Sequence, residues 1–308
     1  MYDIIVIGAG PAGLSAAIYG LRAGKTALVL EGRIYGGQII NTPEINNYPG
    51  FKKISGAQLA NELYQQARGL GAEIRMEKAL SIEYDENSST HPKVSVNTSK
   101  GRYEASTLIL ALGAKNRLLG LPKEEEMIGS GISYCATCDG MFYKGKTVAV
   151  NGGGNAALED VLFLSDYCEK VYLIHRRDTF RGERRMQKIL EKKENVEFIL
   201  NSTVSALLGE DRLSGIRVKE NGGEEKELSV DGLFVAIGRD PATAIVKDLI
   251  TLDERGYIQA GEDCHTERKG VFVAGDCRTK LIRQLTTAAA DGAVAALAAV
   301  EYLDMEEI

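Results

Sequence analysis

The pattern of apolar positions at the start of the chain predicts a strand, a glycine turn, a helix and a second strand. Residues 3–7 read DIIVI, a short and mostly apolar run of the length of a buried strand. The turn GAGPAG occupies residues 8–13, a helix of small residues is predicted over 14–23, and ALVL at 27–30 predicts the next strand. Together these elements predict one βαβ unit.

The same order of elements returns in the middle of the chain. Residues 147–150 (TVAV) predict a strand, 152–157 (GGGNAA) a turn, 158–168 a helix and 171–174 (VYLI) a further strand. A unit that recurs at this scale indicates two related nucleotide-binding folds within one chain.

Each unit is followed, farther along, by an apolar strand that ends in glycine: LILALG ends at Gly113 and LFVAIG at Gly238. A third such strand, VFVAGD at 271–276, precedes an alanine-rich helix predicted from about Arg283 to Tyr302. This last segment is too short to form a domain of its own. We therefore expect an α/β fold of two Rossmann-like domains, with the second inserted into the first.

The connections between the predicted domains are expected near residues 115–122 and 239–245. With these connections, one predicted domain comprises residues 1–114 and 246–308, and the other comprises residues 115–245. A length of 308 residues agrees with two domains rather than one.

Composition and charge exclude several classes of protein. Apolar residues make up 44% and charged residues 26% of the chain, as in soluble globular proteins. The net charge of −6 argues against a nucleic-acid-binding protein, which normally carries a basic excess. Neither a signal peptide nor an apolar run near the ~20 residues of a membrane span is indicated, so we expect a cytoplasmic protein. NSSTHP at 87–92 predicts only a loop between strands.

The first glycine turn has the form G-x-G-x-x-G, built from Gly8, Gly10 and Gly13. The first glycine permits the tight turn, the second lets the backbone approach a pyrophosphate, and the third lets the helix and strand pack closely. The start of the helix adds unpaired N–H groups for the phosphates. Glu31 follows at the end of the second strand, where an acid binds ribose hydroxyls, so the segment predicts a dinucleotide site.

The second glycine turn has the form G-x-G-x-x-A, built from Gly152, Gly154 and Ala157. It predicts a second dinucleotide site. Two such sites imply two cofactors with a hydride passing between them, and the usual acceptor paired with a nicotinamide is a flavin.

The strand end of the second copy is basic rather than acidic. His175, Arg176 and Arg177 stand where the first copy has its acid, and Arg181 follows four residues on. Arginines bind a 2′-phosphate through charge-assisted contacts, whereas an acid would repel it. The alternative is a solvated basic segment, since further arginines continue the run, but the strand-end position favours binding of NADPH.

One pair of cysteines has the spacing of a reversible disulfide. Cys135 and Cys138 form C-A-T-C, a spacing that also allows a thiol of lowered pKa. Half a zinc site is the alternative, but the sequence supplies no second pair of ligands, so we expect no metal. The remaining cysteines are predicted in a helix (Cys168), in a loop (Cys264) and after a strand (Cys277).

Asp139 directly follows the cysteine pair. A carboxylic acid beside a thiolate and a flavin can exchange the proton that electron transfer requires. An aspartate in this position can equally cap a helix or close a turn. The sequence leaves both roles open.

These motifs together resemble those of the low-molecular-weight thioredoxin reductases of bacteria, fungi and plants. YCATCDG followed by GGGN and HRR is highly specific for that family. The matching stretches occur in the family's order over essentially the whole chain and are GAGPAGLSAAIYGLRAG, GGQIINTPEINNYPGF, YCATCDGMFYKGKTVAV, GGGNAALED, HRRDTFR, GVFVAGDCR and RQLTTAAADGAVAA.

The resemblance implies a homodimeric oxidoreductase whose FAD-binding domain is formed by both ends of the chain and whose inserted NADPH-binding domain carries the cysteines. It implies that NADPH reduces FAD, that FAD reduces the disulfide, and that the resulting dithiol reduces thioredoxin. Within this scheme Cys135 attacks the disulfide of thioredoxin, Cys138 lies against the flavin and Asp139 assists proton transfer.

The resemblance also implies the residues that contact each cofactor. Asp276 would bind the ribityl chain, and the last helix would direct its N-terminus at the pyrimidine edge of the flavin. The implied FAD contacts are Gly8, Gly10, Pro11, Ala12, Gly13, Glu31, Gly32, Gln38, Asn47, Ala79, Asp276, Arg283, Gln284 and Leu285. The implied NADPH contacts are Gly152, Gly154, Asn155, Ala156, His175, Arg176, Arg177, Arg181 and Gly238.

The chain departs from the family pattern at Leu112, Ser130, Met141 and Asn151. Ser130 and Met141 lie near the surface expected to dock thioredoxin, which leaves the partner less determined than the chemistry. The alternatives are the same chemistry on another thioredoxin-like or glutaredoxin-like carrier, a ferredoxin-linked flavoprotein reductase, and a redox sensor without turnover. The CATC motif and the intact NADPH motifs argue against the ferredoxin-linked alternatives.

Overall fold

The computed structural model describes residues 1–86 and 93–305. The loop predicted at 87–92 lies outside the described residues. The chain divides into two compact units, the first comprising Met1–Lys115 and Asp240–Ile308 and the second Asn116–Arg239.

The strands of the described residues are short, as expected for a mixed α/β protein. They are β1 (Tyr2–Ile7), β2 (Ala27–Leu30), β3 (Glu73–Arg75), β4 (Ala79–Asp85), β5 (Lys93–Thr98), β6 (Arg102–Leu110), β7 (Ala114–Asn116), β8 (Ile132–Ser133), β9 (Thr147–Gly152), β10 (Lys170–Ile174), β11 (Val196–Ile199), β12 (Ser202–Leu208), β13 (Gly215–Glu220), β14 (Glu225–Leu228), β15 (Gly232–Ala236), β16 (Arg239–Pro241) and β17 (Val271–Val273). The α-helices are α1 (Pro11–Arg22), α2 (Gly56–Gly69), α3 (Ala136–Asp139), α4 (Asn155–Ser165), α5 (Arg184–Leu190) and α6 (Leu285–Met305).

The sheet of the first unit has β1 at its centre. The strand order is β3-β2-β1-β6-β5-β4, with β17 paired to β6. Ile4, Ile5 and Val6 of β1 are fully buried, because β1 is paired in parallel with β2 on one side and β6 on the other and has both faces covered. On one face α1 packs closely against α6, where a side chain at Gly292 would clash with the carbonyl oxygen of Ala12.

The sheet of the second unit repeats this arrangement around β9. Its order is β11-β10-β9-β15-β8, with every pair parallel. The strands β12, β13 and β14 form a separate antiparallel sheet in this unit. The two segments that connect the units, β7 and β16, pair with each other.

The helix predicted over 158–168 is wrong at both ends. It is α4, which begins at Asn155 directly after the glycine turn and ends at Ser165. Cys168 therefore lies after the helix rather than within it. The side-chain amide of Asn195 donates to the carbonyl oxygens of Ser165 (2.9 Å) and Cys168 (3.0 Å), which satisfies acceptors left unpaired where the helix ends.

Other boundaries also differ from the expected ones: the helix predicted over 14–23 is α1, which runs over Pro11–Arg22, and the strand predicted to end at Gly238 ends at Ala236. The strand predicted to end at Gly113 ends at Leu110, and the alanine-rich helix runs over Leu285–Met305. That helix begins late because the backbone N–H of Gln284 bonds to the hydroxyl of Thr287 (3.1 Å). Among the described residues, no helix is both long and apolar enough to cross a membrane.

Candidate active site

The first glycine turn connects β1 to α1, and two of its glycines are required by packing. Gly8 has φ +108°, and a side chain there would clash with the carbonyl oxygen of Ala111, just after β6. A side chain at Gly13 would clash with the carbonyl oxygen of Gly8. Gly10 differs, because the nearest atom to a methyl group placed there is 3.9 Å away, on Gly37. The backbone at Gly10 thus leaves space for a pyrophosphate at the start of α1.

The strand-end acid of the first copy is held in a defined position. Glu31 follows β2, and its two carboxylate oxygens accept hydrogen bonds from the backbone N–H groups of Ala9 (2.9 Å) and Arg33 (2.8 Å). Each carboxylate oxygen has a second lone pair available for a ribose hydroxyl. The residues of the turn and the acid therefore fit a dinucleotide.

The other residues expected to contact FAD come from several loops of the first unit. Gln38 lies on a 3-10 turn (Gly37–Asn41) and donates to the carbonyl oxygen of Ala114. Asn47 is exposed in a loop, and Gly32 is exposed beside Glu31. Pro11 and Ala12 begin α1, Ala79 begins β4, Asp276 lies on a 3-10 turn after β17, and Gln284 and Leu285 lie at the start of α6.

The side chain of Arg283 contacts other groups of the first unit. Its guanidinium donates to the carbonyl oxygens of Lys280 (3.0 Å) and Arg278 (3.1 Å) and lies over the ring of Tyr257, 4.2 Å from its centroid. The guanidinium thereby braces the loop between β17 and α6.

A buried ionic cluster next to Asp276 escaped the sequence analysis. Asp291, inside α6, accepts hydrogen bonds from Arg278 (2.9 Å), Lys280 (2.8 Å) and the N–H of Gly275 (2.9 Å). Burial alone would raise the pKa of Asp291, but the hydrogen bonds from Arg278 and Lys280 hold it below its ordinary value. The cluster ties the turn that carries Asp276 to α6. In the sequence, the aspartate within the alanine-rich run TTAAADGAVAA indicates this cluster.

In the second glycine turn the first and middle glycines have the same roles as in the first turn, although Gly152 does not share the positive φ of Gly8. A side chain at Gly152 would approach the Cβ of Ala157 and the carbonyl oxygen of Ala236 to 2.6 Å, whereas a methyl group at Gly154 would meet no atom within 4 Å. Here too the first glycine packs against the end of a neighbouring strand, β15, and the middle glycine leaves space. The helix α4 starts directly after it, at Asn155 and Ala156.

His175 is a support of this turn rather than an exposed side chain. It is 6% exposed, its ring stacks on Phe180 (centroids 5.4 Å apart), and a side chain at Gly153 would overlap the imidazole. Burial, followed by the nearby arginines, lowers the pKa of His175, so the ring is neutral near pH 7. Its Nε2 is buried and has no hydrogen-bond partner within the described part of the chain.

The arginines of the second copy are brought to the turn by the loop after β10. Arg176, Arg177 and Arg181 are exposed. The backbone N–H of Arg181 donates to the carbonyl oxygen of Gly153 (2.8 Å), and that of Glu183 donates to the side chain of Asn155 (2.8 Å). The loop thus folds back over the glycine turn. Gly238, the last predicted NADPH contact, has φ +111° after β15, and its carbonyl oxygen accepts from the N–H of Arg117 (3.1 Å).

The cysteine pair of the second unit is oxidised, with Cys135 just before α3 and Cys138 within it. Cys135 and Cys138 form a disulfide. The hydroxyl of Ser133 accepts the backbone N–H of Cys135 (3.1 Å) and donates to the carboxylate of Asp139 (2.6 Å). Burial raises the pKa of Asp139, partly opposed by the hydrogen bond from Ser133. Asp139 is the last residue of α3 and its side chain caps no helix, so the capping alternative is wrong.

A second carboxylate anchors the strand that leads into the cysteines. Glu124, 2% exposed, accepts hydrogen bonds from the N–H groups of Leu119 and Gly120 and from the hydroxyl of Tyr134 (each 2.8 Å). Tyr134 directly precedes Cys135, so this contact holds the start of the motif. The sequence analysis missed it.

The other cysteines are buried and poorly ionised. Burial raises the pKa of Cys168 to about 11, of Cys264 to about 12 and of Cys277 to about 11. Thiols of this kind are inert packing groups. Within residues 1–86 and 93–305, no group of three or more His, Cys, Asp or Glu side chains is placed to hold a metal ion.

Comparison with known proteins identifies the family of the chain. Residues 2–292 match the family model described as pyridine nucleotide-disulphide oxidoreductase. The 34.2 kDa protein in the rubredoxin operon of Clostridium pasteurianum is 43% identical, and the match covers 98% of this chain and 97% of that protein. The bifunctional thioredoxin reductase/thioredoxin of Mycobacterium leprae is 42% identical over 98% of this chain and 66% of its own length.

A solved structure is similar over the full length. The thioredoxin reductase from Streptococcus pyogenes has a TM-score of 0.93 and 37% sequence identity, with 99% of each chain covered. These matches confirm the predicted fold class and the family resemblance. The chain belongs to the pyridine nucleotide-disulphide oxidoreductase family and, within it, to the thioredoxin reductases, which are flavoprotein oxidoreductases that also use a nicotinamide cofactor.

Proposed function

We propose that this protein is a cytoplasmic, NADPH-dependent thioredoxin-disulfide reductase that carries FAD in its first unit. The observation that carries the proposal is the Cys135–Cys138 disulfide, formed on α3 in the same unit as the second glycine turn. The M. leprae relative, a bifunctional thioredoxin reductase/thioredoxin, supports thioredoxin as the partner.

In this proposal the two glycine turns bind the two cofactors. The open backbone at Gly10 and the start of α1 take the pyrophosphate of FAD, and Glu31 takes ribose hydroxyls. Gly154 and the start of α4 take the pyrophosphate of NADPH, while Arg176, Arg177 and Arg181 bind its 2′-phosphate. When bound, the flavin supplies a route for two electrons from the nicotinamide to the disulfide.

The chain's own residues account for the dithiol chemistry. Two electrons and one proton break the Cys135–Cys138 bond and leave one thiol and one thiolate. The sulfur of Cys135, as thiolate, attacks the disulfide of thioredoxin and forms a mixed disulfide, with one thioredoxin sulfur leaving. Cys138 then attacks Cys135, which releases reduced thioredoxin and restores the original disulfide. Asp139, whose pKa is raised by burial, exchanges the proton at the cysteine pair.

We also propose a homodimer. Exposed apolar side chains follow one face of α6 at Val294 (38% exposed), Leu297 (51%) and Met305 (69%), and they are candidates for the contact. Sedimentation of the purified protein would measure the oligomeric state, and a monomer at micromolar concentration would refute this part of the proposal.

The central test is an anaerobic redox cycle with the purified protein. NADPH should bleach the flavin absorbance, and oxidised thioredoxin should restore it. The Cys135→Ser variant should keep bleaching by NADPH but lose at least about 99% of thioredoxin reduction, because it lacks the attacking sulfur.

Cys168→Ser is the matched control, since that thiol is buried and forms no disulfide, and its loss should leave turnover intact. A Cys135→Ser variant that still reduced thioredoxin would overturn the assigned role. A purified chain without bound flavin would overturn the proposed function as a whole.

A further inference from the structure

The hydroxyl group of Thr137 lies directly beside one of the two redox sulfurs. Thr137 stands between the cysteines of the motif, on α3, and its Oγ1 is 3.4 Å from the Sγ of Cys135. That sulfur carries no hydrogen in the disulfide with Cys138, so the hydroxyl is the donor of this contact. A hydroxyl that donates to the disulfide sulfur is placed to donate to the same sulfur after reduction.

Backbone hydrogen bonds hold these two side chains in their relative positions. The carbonyl oxygen of Cys135 accepts the N–H groups of Cys138 (3.2 Å) and Asp139 (3.1 Å), which closes the turn that contains Thr137. The N–H of Cys135 in turn donates to the hydroxyl of Ser133 (3.1 Å). None of these three hydrogen bonds involves a cysteine sulfur, so we expect the turn to persist when the disulfide is reduced.

The segment that leads into the turn is also anchored. Strand β8 pairs in parallel with β15 of the central sheet of the second unit. Tyr134 follows β8, and its hydroxyl donates to the buried carboxylate of Glu124 (2.8 Å). Cys135 therefore starts from a fixed backbone, and the distance from its sulfur to the hydroxyl of Thr137 is set by the turn itself.

The ionisable groups around the turn do not change when Thr137 is substituted. Besides the two thiols, they are within the described residues Asp139 on α3, Glu159 and Asp160 on α4, and Tyr143 on the 3-10 turn Gly140–Tyr143, the last two elements being those packed most closely on α3. Their influence on the thiols is the same in every Thr137 variant and cancels when variants are compared.

We propose that Thr137 is a catalytic residue whose hydroxyl donates to the thiolate of Cys135 and so assigns the negative charge of the reduced pair to that sulfur. A hydrogen bond to the charged form of a group stabilises that form. When the disulfide takes up two electrons and one proton, Cys135 remains the thiolate and the proton goes to Cys138. The inference rests on the proposed use of these cysteines as a dithiol.

The same hydrogen bond serves the attack on thioredoxin. The thiolate of Cys135 forms a new S–S bond with one thioredoxin sulfur, the thioredoxin disulfide breaks, and the negative charge passes to the leaving sulfur. Before the attack the hydroxyl of Thr137 maintains the reactive thiolate, and after it the hydroxyl again faces a sulfur without charge, as in the structure.

The test is the rate of alkylation of Cys135 in the full-length protein. Cys138→Ala isolates this thiol, and dithiothreitol treatment followed by its removal ensures that the thiol is free. Iodoacetamide is applied in short pulses from about pH 6 to 10, and mass spectrometry of the peptide measures its modification. In this background Thr137 is compared with Thr137→Val, which has nearly the same shape and no hydroxyl.

We expect the two pH profiles to cross. A thiol whose pKa is higher by one unit has about tenfold less thiolate at low pH, but that thiolate is about threefold more nucleophilic. The protein with Thr137 should therefore react about threefold faster near pH 6, and Thr137→Val up to about threefold faster near pH 10, where the thiols are mostly ionised. Superimposed profiles would overturn the proposal, and so would a constant ratio at every pH, which reflects access to the sulfur alone.

Two further variants control for the loss of a threonine. Thr137→Ser keeps the hydroxyl and should restore the profile of the protein with Thr137; a profile like that of Thr137→Val would refute the role of the hydroxyl. Thr203→Val changes another exposed threonine, on β12 of the separate antiparallel sheet, and should leave the profile unchanged. The same crossing in Thr203→Val would contradict the assignment to Thr137.

A second measurement follows the charge in the intact dithiol. With both cysteines present and reduced, limited alkylation near pH 7 followed by fragmentation of the peptide gives the ratio of modified Cys135 to modified Cys138. This ratio should fall about threefold in Thr137→Val and recover in Thr137→Ser. An unchanged ratio would refute the assignment of the charge to Cys135.

Because the reduction is chemical, these results do not depend on the proposed electron route. Failure of NADPH to bleach the flavin would refute the proposed function without changing the alkylation profiles. Superimposed profiles in a protein that cycles normally would refute the role of Thr137 alone.

Discussion

The two glycine turns use their first and middle glycines in the same way and differ in which residues follow the next strand. In both, the first glycine packs against the end of a neighbouring strand and the middle glycine leaves space, at Gly10 and Gly154. In the first copy the strand end is Glu31, held by two backbone N–H groups. In the second it is buried, neutral His175, followed by exposed arginines.

This difference separates two tasks. The repeated backbone provides a place for a pyrophosphate, because it exposes the N–H groups at a helix start without a side chain in the way. In the proposed function the strand end selects the nucleotide, because carboxylates favour ribose hydroxyls and arginines favour a 2′-phosphate. Substitutions in the glycine turns and at the strand ends can test these two roles separately.

The largest expected effect comes from a substitution of a tightly packed glycine in the first glycine turn. Gly13→Ala would place a methyl group against the carbonyl oxygen of Gly8, so β1 and α1 would have to separate. We expect a loss of more than about 3 kcal/mol in the free energy of unfolding, together with loss of bound flavin. Urea denaturation and the flavin absorbance of the purified protein measure the two effects.

Gly10→Ala is the matched control for that change. Its backbone φ of −76° suits alanine and the nearest atom is 3.9 Å away, so unfolding should be nearly unchanged while flavin affinity falls. Equal losses of stability in the two variants would show that the middle glycine serves packing and not the cofactor.

An intermediate effect is expected from the strand end of the second copy. Removing Arg177 and Arg181 together by substitution with alanine should raise the KM for NADPH about tenfold or more, since each charge-assisted hydrogen bond contributes roughly 1.5–3 kcal/mol. Steady-state rates with NADH should hardly change, because NADH has no 2′-phosphate.

Arg184→Ala serves as the control for general charge. Arg184 begins α5 and continues the basic run beyond the loop that folds over the turn. If it raised the KM for NADPH as much as the double variant, the effect would be a diffuse attraction and not a phosphate site.

The smallest expected effect concerns the buried imidazole. The pKa of His175 in the folded protein is below its ordinary value of 6.5, mainly because burial disfavours the charged ring. The unfolded chain therefore binds the proton first, so this contribution to stability is complete above pH 6.5 and declines as the pH falls towards the folded pKa.

His175→Gln should remove that decline. Denaturation between about pH 5 and 8 measures it, and the free energy of unfolding should fall less in the variant than in the wild type over this range. The same slope in both proteins would mean that His175 binds its proton at the same pH in the folded and the unfolded chain.

The local motifs were predictable because their chemistry depends on neighbours in sequence. The positions of Gly8, Gly10 and Gly13, the CATC spacing and the basic strand end all follow from short-range rules on turns, helix starts and charge. The error at Cys168 shows where such rules stop. The residue that pairs with the end of α4 is Asn195, 27 residues beyond Cys168, and no local pattern points to it.

By itself, then, the sequence determined which segments turn, which segments are candidates to bind phosphate and which two sulfurs pair, since each depends on a few adjacent residues. Only the tertiary structure decided what the buried carboxylates hold, as for Asp291 between Arg278 and Lys280, or Glu124 at the hydroxyl of Tyr134. The physical reason is that a buried charge responds to every group packed around it, and those groups come from distant parts of the chain.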